Sequence, residues 1–344
     1  MRAAQFYGPG EMQVEDVEEP SPGAGEILVD VAACGICGSD LHFYQDGLGR
    51  EVDYPIVLGH EIGGTVVEVG EGVDEVEVGQ DVALAPHTPC MDCWCCERAM
   101  YNLCRELNAV SARPGGYAEL VVEQADNAVP LPEGVSPEDA AIAQPVSVGQ
   151  NAVRISPVGI GDTVAVVGSG PIGLGALHFA KSAGAGPIYV SEPQASRREV
   201  AADFGADVLI DPSEEDPVER IHEETGRGVD VAFEAVGHEA TLNQAIESTR
   251  AGGHATVIGV FGEPAEFEPQ LLVRHQRTLR GSTSHQLGPK IEDVYGVVLR
   301  HLASGELDAE KYVTSRIDLE DVVEDGFEAL LDPEREERKI LVCP

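Results

Sequence analysis

The stretch from Thr163 to Glu192, TVAVVGSGPIGLGALHFAKSAGAGPIYVSE, leaves little freedom in what this chain can fold into. A β-branched run ends at Gly168, Gly170 and Gly173, spaced G-x-G-x-x-G, and a helical stretch then leads to a second β-branched run. The first glycine permits a tight turn, the second lets the backbone approach a pyrophosphate, and the third lets helix and strand pack closely. A helix opening there turns its free N–H groups towards phosphate. Such spacing also occurs in ordinary glycine-rich turns, but here the second strand ends on an acid, Glu192, nineteen residues past Gly173. An acid at that place can hold the hydroxyls of an adenine ribose, which favours NAD. Arg197 and Arg198 follow, so NADP stays open through a 2′-phosphate contact, with a solvated first helical turn as the plain reading of both arginines.

The same rhythm continues. PIYVSE, DVLID, VDVAFEAVG and HATVIGV alternate with helical stretches such as QASRREVAADFGA, which predicts an α/β fold with a doubly wound parallel sheet covered on both faces. The first 150 residues differ: GEILVDVAA, IGGTVVEVG and GQDVALAP, with turn signals PGAG and VGEGVD between them, read as a β-rich, barrel-like unit. After Pro289 the pattern becomes helical again and ends on the strand KILVCP. A chain of 344 residues exceeds what one core usually supports, so two domains are expected.

Charge narrows the partners. Acidic residues number 61 against 22 basic ones, a net of −39, spread over both halves, and only four of the basic residues are lysines. Nucleic acid and anionic membrane are excluded as partners, since both demand a basic surface. The longest apolar region is broken by glycines and a proline, so no membrane span is expected, and the N-terminal residues carry no signal-like apolar core. A cytoplasmic protein follows. Like charges at this density weaken the compact state unless salt shortens the screening length, to about 3 Å at 1 M, so a salt-rich cytoplasm is expected.

Cytoplasmic thiols stay reduced, which bears on PCMDCWCCERAMYNLC, where five of the eight cysteines fall between Cys90 and Cys104. Cys90, Cys93, Cys96 and Cys104 are spaced C-x2-C-x2-C-x7-C, and four thiolates in one loop, about residues 86–108, are what a closed structural zinc site needs. Cys95 is left over as a spare thiol. Upstream, CGICGSDLH places Ser39, Asp40 and His42 after Cys37, and GHEIGG adds His60 and Glu61. Thiolate, imidazole and carboxylate with one open position describe a catalytic zinc. Cys34 and Cys37 also form a C-x-x-C, for which a redox pair is the alternative.

CGICGSDLH, GHEIGG, the cysteine loop ending in YNLC, and VVGSGPIGLGA together resemble the zinc-dependent medium-chain dehydrogenases, most closely the sorbitol, threonine and butanediol dehydrogenase branch, over nearly the whole chain. The resemblance implies a split GroES-like catalytic domain, residues 1–153 and 290–344, around a Rossmann domain, 154–289, with the active site in the cleft they form. It implies two zincs per chain. Cys37 and His60 would ligate the catalytic one, with Glu61 a ligand or close alternate and Asp40 orienting a ligand; the four loop cysteines would hold the structural one. Zinc would activate the alcohol, Ser39 and His42 would relay the proton, and hydride would pass to the nicotinamide. Substrates would be a secondary alcohol, diol, polyol or sugar, and the assembly a homo-dimer or homo-tetramer. One departure stands out: where many relatives read E-P-L-S this chain has AQPVS, so Gln144, a weaker neutral ligand, replaces a glutamate. The rival readings are a zinc-independent quinone or enal reductase, a non-catalytic NAD-binding protein with structural zinc only, and a metal-storing or redox-sensing thiol loop.

Overall fold

Two units make up the computed structural model, residues 1–144 with 286–344, and residues 145–285. It describes residues 1–48, 53–107, 115–284, 292–332 and 334–344. The expected domain boundary at 289/290 and the outer edge of the cysteine lobe at 108 lie outside the described residues.

Strands β1 (Arg2–Gly8) and β2 (Glu11–Asp16) form an antiparallel hairpin, and β3 (Glu26–Gly35), helix α1 (Gly38–Asp46), β4 (Ile56–Val57), β5 (Glu61–Val69) and β6 (Asp81–Leu84) follow. Then come β7 (Leu120–Gln124), β8 (Ala128–Pro130), α2 (Pro137–Ala140) and α3 (Ala143–Ile155). The second unit alternates β9 (Val164–Val167), α4 (Pro171–Ser182), β10 (Ile188–Ser191), α5 (Ala195–Asp203), β11 (Val208–Ile210), α6 (Pro217–Thr225), β12 (Val229–Glu234), α7 (Glu239–Ser248), β13 (Thr249–Val257), α8 (Gln270–Val273) and β14 (Thr278–Gly281). The chain closes with α9 (Glu292–Ser304), β15 (Ser315–Asp318), α10 (Glu328–Leu331) and β16 (Ile340–Cys343).

In the first unit a seven-stranded sheet runs β15-β16-β3-β5-β6-β8, with β7 also paired to β3. The apolar alternation of β3 puts Ile27, Val29 and Val31 into one core with Leu58, Val66, Val82, Tyr117, Phe327 and Val342. Burying each such side chain contributes about 1.5–3 kcal/mol. Two aromatic contacts tie the C-terminal residues to the N-terminal ones: Phe327 meets Tyr44 at 5.1 Å and Tyr117 at 5.8 Å between ring centroids.

In the second unit all six strands are parallel, in the order β11-β10-β9-β12-β13-β14. Strands β9 and β12 lie at its centre and are buried at every position; β9 reads as an unbroken apolar run, while β12 also carries Asp230 and Glu234, each engaged by hydrogen bonds. Chain direction across the sheet reverses between them, and open α/β sheets bind ligands at that switch point, beyond the carboxyl ends of the strands. Gly168 follows β9 there, and Glu234 closes β12. Among the described residues no helix is long and apolar enough to cross a membrane.

Candidate active site

Strand register assembles the first cluster. In the antiparallel pair β3/β5, Gly35 faces Glu61, so the chain leaving β3 delivers Cys37 beside His60 and Glu61 as they enter β5. The ligand atoms of these three residues lie within 4.8 Å of one another. His60 and Glu61 are buried while Cys37 is half-buried, so the set is open on the thiolate side.

Asp40, at the third position of α1, is completely buried and ties the cluster together. Its Oδ2 accepts from the backbone N–H of Cys37 (3.0 Å) and from the Tyr117 hydroxyl (2.8 Å), and its Oδ1 lies 3.4 Å from Nδ1 of His60. With Nδ1 turned to a carboxylate, Nε2 is the nitrogen left for a metal. Burial opposes charge on His60, but Asp40 and Cys37 beside it outweigh that and hold its pKa well above the ordinary imidazole value. Burial likewise opposes ionisation of Asp40, and His60 outweighs it, keeping the carboxyl below its usual range. An imidazole drawn towards positive charge among a thiol and two buried carboxylates is the environment a divalent cation fits, with soft and borderline donors suited to zinc.

A cation of the chain's own already sits there. Lys339, just before β16 and 2% exposed, donates to both oxygens of Glu61 (2.8 and 2.6 Å) and to the Ile36 carbonyl (2.6 Å). Glu61 is therefore a shared carboxylate, engaged by Lys339 while within reach of the Cys37–His60 pair. Burial works against the Lys339 charge, yet Glu61 more than compensates and its pKa is raised. Sequence reasoning missed Lys339 and Tyr117. A lone lysine leading the apolar run ILVC was the available signal for the first; nothing local marks the second. Ser39 and His42 stand three apart on α1, both half-buried, and Gln144 is buried near the start of α3.

The second cluster uses four of the five loop cysteines. Sγ–Sγ separations are 3.5 Å (Cys90–Cys104), 3.6 Å (Cys93–Cys96), 3.8 Å (Cys93–Cys104) and 4.0 Å (Cys90–Cys96). A Zn–S bond of about 2.3 Å sets tetrahedron edges of about 3.8 Å, so the quartet has the size of a closed zinc cage. Backbone N–H groups of Cys96 and Arg105 bring the Cys93 thiol down to about 6, while a bond to Asp92 pushes Cys90 up to about 12 and burial pushes Cys96 up, so one thiol of the quartet is poised towards thiolate. Cys95 lies outside the quartet. Among its described residues the loop carries two short 3-10 turns, Cys96–Arg98 and Tyr101–Leu103, and Arg98 stacks over the exposed Trp94 at 4.4 Å.

The glycine turn has the geometry its sequence requires. Gly168 has φ +88°, a side chain at Gly170 would meet nothing within 4 Å, and a Cβ at Gly173 would come within 2.0 Å of the Gly168 carbonyl. Turn, open approach and close packing are thus distributed over the three glycines, and Gly170 caps α4. Glu192 is buried: Oε2 accepts from Ser169 N–H (3.0 Å) and hydroxyl (3.2 Å), and Oε1 from Gln194 N–H (3.0 Å). Of the roughly four lone-pair positions on a carboxylate these occupy three, leaving Oε1 one for a ribose hydroxyl. Arg197 and Arg198 lie in the first turn of α5, and the Arg197 carbonyl accepts from the Ser169 hydroxyl (3.4 Å). Glu234, fully buried, shapes the facing loop by accepting from Val236 N–H (2.9 Å), Gly237 N–H (2.8 Å) and the Thr241 hydroxyl (2.8 Å). Val236 and Val260 stay exposed beyond the strand ends.

Comparison with known proteins places this geometry. Residues 23–133 match the alcohol dehydrogenase GroES-like domain, and residues 171–304 match the zinc-binding dehydrogenase family. The chain is 37% identical to (R,R)-butanediol dehydrogenase of Bacillus subtilis strain 168, covering 100% of both proteins. It is 34% identical to sorbitol dehydrogenase of the same organism, over 100% of this chain and 97% of that one. A putative zinc-binding dehydrogenase from Sinorhizobium meliloti 1021, solved bound to NADP, superposes with a TM-score of 0.91 at 32% identity, covering 100% of this chain and 99% of the other.

Proposed function

Since this chain belongs to the zinc-binding medium-chain alcohol and polyol dehydrogenases, built from a GroES-like domain and a Rossmann-type sheet, we propose that it transfers hydride between a secondary alcohol, vicinal diol, polyol or sugar and NAD. The observation that carries this reading is the Cys37–His60–Glu61 set, three donors within 4.8 Å and open on one side, in a chain that also has the glycine turn Gly168–Gly173 and a buried Glu192 just past the following strand.

A zinc held by Cys37 and His60, with Glu61 as shared third donor, would supply Lewis acidity to the substrate oxygen, and the nicotinamide would supply the hydride acceptor. The chain's own groups do the rest. Asp40 and Tyr117 fix the His60 ring, Ser39 takes the hydroxyl proton, and His42, on the same face of α1, carries it to solvent. Glu192 accepts from the adenine ribose and sets the preference for NAD. Cys90, Cys93, Cys96 and Cys104 hold a second, structural zinc that braces a loop with little core of its own. Gln144, a neutral amide where the resemblance leads one to expect a glutamate in many members of the branch, leaves charge balance at the first metal to Cys37 and the shared Glu61. We assign the protein to a salt-rich cytoplasm, as a homo-oligomer.

Elemental analysis on protein purified in molar potassium chloride without chelator should return two zincs per chain. Cys37→Ser should lose one zinc and all alcohol-dependent NADH formation while still binding NAD; turnover at the wild-type rate in that variant overturns the assignment.

A further inference from the structure

Arg198 is one of the two arginines that the sequence offers for a 2′-phosphate, and its guanidinium is committed to groups of the chain itself. It lies in the first turn of α5, six residues past Glu192. Its Nη1 donates to the carbonyls of Glu192 and Pro193, 2.7 Å each, and its Nη2 reaches Oδ2 of Asp211 at 2.9 Å. Asp211 directly follows β11, and the parallel register Ser191↔Ile210 sets it alongside Glu192. Asp211 is itself fixed, its Oδ1 accepting from the Ser213 N–H (2.9 Å) and hydroxyl (2.5 Å). Both members of the pair are mostly buried, at 18% and 15% exposure, so solvent competes weakly for either.

We propose that Asp211 is a specificity-positioning residue: by holding Arg198 against the edge of β11 it withholds from the adenosine 2′ position a guanidinium that would otherwise pair with phosphate. The inference rests on reading Glu192 as the ribose acid. Its physical basis is competition for one fork. A guanidinium pairs a phosphate through two parallel N–H bonds in its own plane, and here both Nη1 hydrogens go to backbone carbonyls and one Nη2 hydrogen to Asp211, so the plane and direction of the fork are fixed although Nε–H and one Nη2–H remain uncommitted among the described residues. Turning Arg198 to a phosphate would break all three bonds and leave Asp211 without its cation. The Asp211 charge also opposes a dianionic phosphate arriving nearby. NAD, which needs no cation at 2′, loses nothing to this arrangement.

The test is Asp211→Asn in the full-length protein, with NAD and NADP binding measured by calorimetry in molar potassium chloride. NADP affinity should rise about tenfold, the equivalent of one charge-assisted hydrogen bond, with NAD affinity changed less than twofold. The rise should vanish in Asp211→Asn/Arg198→Ala. An unchanged NADP affinity in Asp211→Asn overturns the proposal, and so does a rise that persists without Arg198. Arg198→Ala in the wild-type background gives an independent check: NADP affinity stays as it was if Arg198 is withheld, and falls about tenfold if Arg198 already reads the phosphate. Failure of the underlying reading is distinguishable, because a wild-type protein that prefers NADP contradicts Glu192 as the selector before any variant is made.

Discussion

Lys339→Met tests the buried pair that sequence reasoning missed. The substitution keeps the length of the side chain and removes its charge, so the change is electrostatic with little cavity. Glu61, with no exposed surface, would lose the cation that contacts both its oxygens at 2.8 and 2.6 Å, and the Ile36 carbonyl would lose its donor. Removing one partner of a buried ion pair costs about 3–5 kcal/mol, because the remaining charge stays desolvated. Against a total stability of about 5–15 kcal/mol this is a large fraction. Salt will not soften it, since the pair is shielded from mobile ions. The Lys339 pKa is raised on folding, so its contribution is fully present below the unfolded lysine value and is lost only as pH rises through the folded one; at pH 7 the whole effect is measurable. The assay is urea unfolding at pH 7 in molar potassium chloride, with and without chelator. In chelator the variant should lose about 3–5 kcal/mol, and Lys339→Met/Glu61→Gln should recover at least half of it. A loss below about 1 kcal/mol in chelator, or a double variant no better than the single one, would refute the argument that this pair is a paired buried charge. With zinc present the loss should shrink, because a released Glu61 can turn to the metal.

Three further outcomes follow from the same contacts. Tyr117→Phe removes the hydroxyl that donates to Asp40 at 2.8 Å and should weaken zinc binding at the Cys37 site about tenfold in chelator competition, with the cysteine cage unaffected. Asp230 is opposed by burial but held ionised by bonds from Arg250 and Thr163, so its pKa is lowered; it supports the fold above the unfolded carboxylate value and fails as pH falls through the folded one, and Asp230→Asn should make acid unfolding of the protein less steep. Transfer from molar salt to about 50 mM should abolish the far-UV helical signal, because surface repulsion grows as the screening length lengthens; an unchanged spectrum would contradict the reading of the acidic surface.

What the sequence disclosed was local. Gly168, Gly170, Gly173 and Glu192 lie within one strand–helix–strand unit, so the local geometry follows from spacing: a positive φ at Gly168, open space at Gly170, close packing at Gly173 and a buried carboxylate at Glu192. The loop cysteines were legible for the same reason, and spacing alone separated Cys95 from the other four. GEILVDVAA and IGGTVVEVG announce β3 and β5 through alternation, although their register, which brings Cys37 to His60, is not written in either segment. Lys339 reaches Glu61 only because β16 pairs with β3, 278 positions of chain separating the two residues. Tyr117 reaches Asp40 in the same way across 77 positions. Arg198 was visible as a candidate cation, but its partner Asp211 lies just past the next strand, and only the parallel register shows that the cation is taken.

Scarcity of cations gives these pairs a common logic. With 22 basic residues against 61 acidic ones, cations are scarce, and although several join exposed acids, as Lys181 does Asp207 and Arg220 does Glu215, others are committed to carboxylates that are turned away from solvent. Lys339 meets the fully buried Glu61, Arg250 meets Asp230 at 2.6 Å, and Arg198 meets Asp211 at 2.9 Å. At each of these sites the acid would otherwise be desolvated and unpaired, the expensive case, whereas on the surface high salt already screens repulsion and a pair would contribute only about 0–1 kcal/mol. The two populations should therefore respond to salt in opposite ways. Surface carboxylates are relieved by added salt, while the inner pairs are indifferent to it. The expected outcome is that low salt unfolds the protein, while within the salt range where the fold persists the three inner pairs do not respond to added salt.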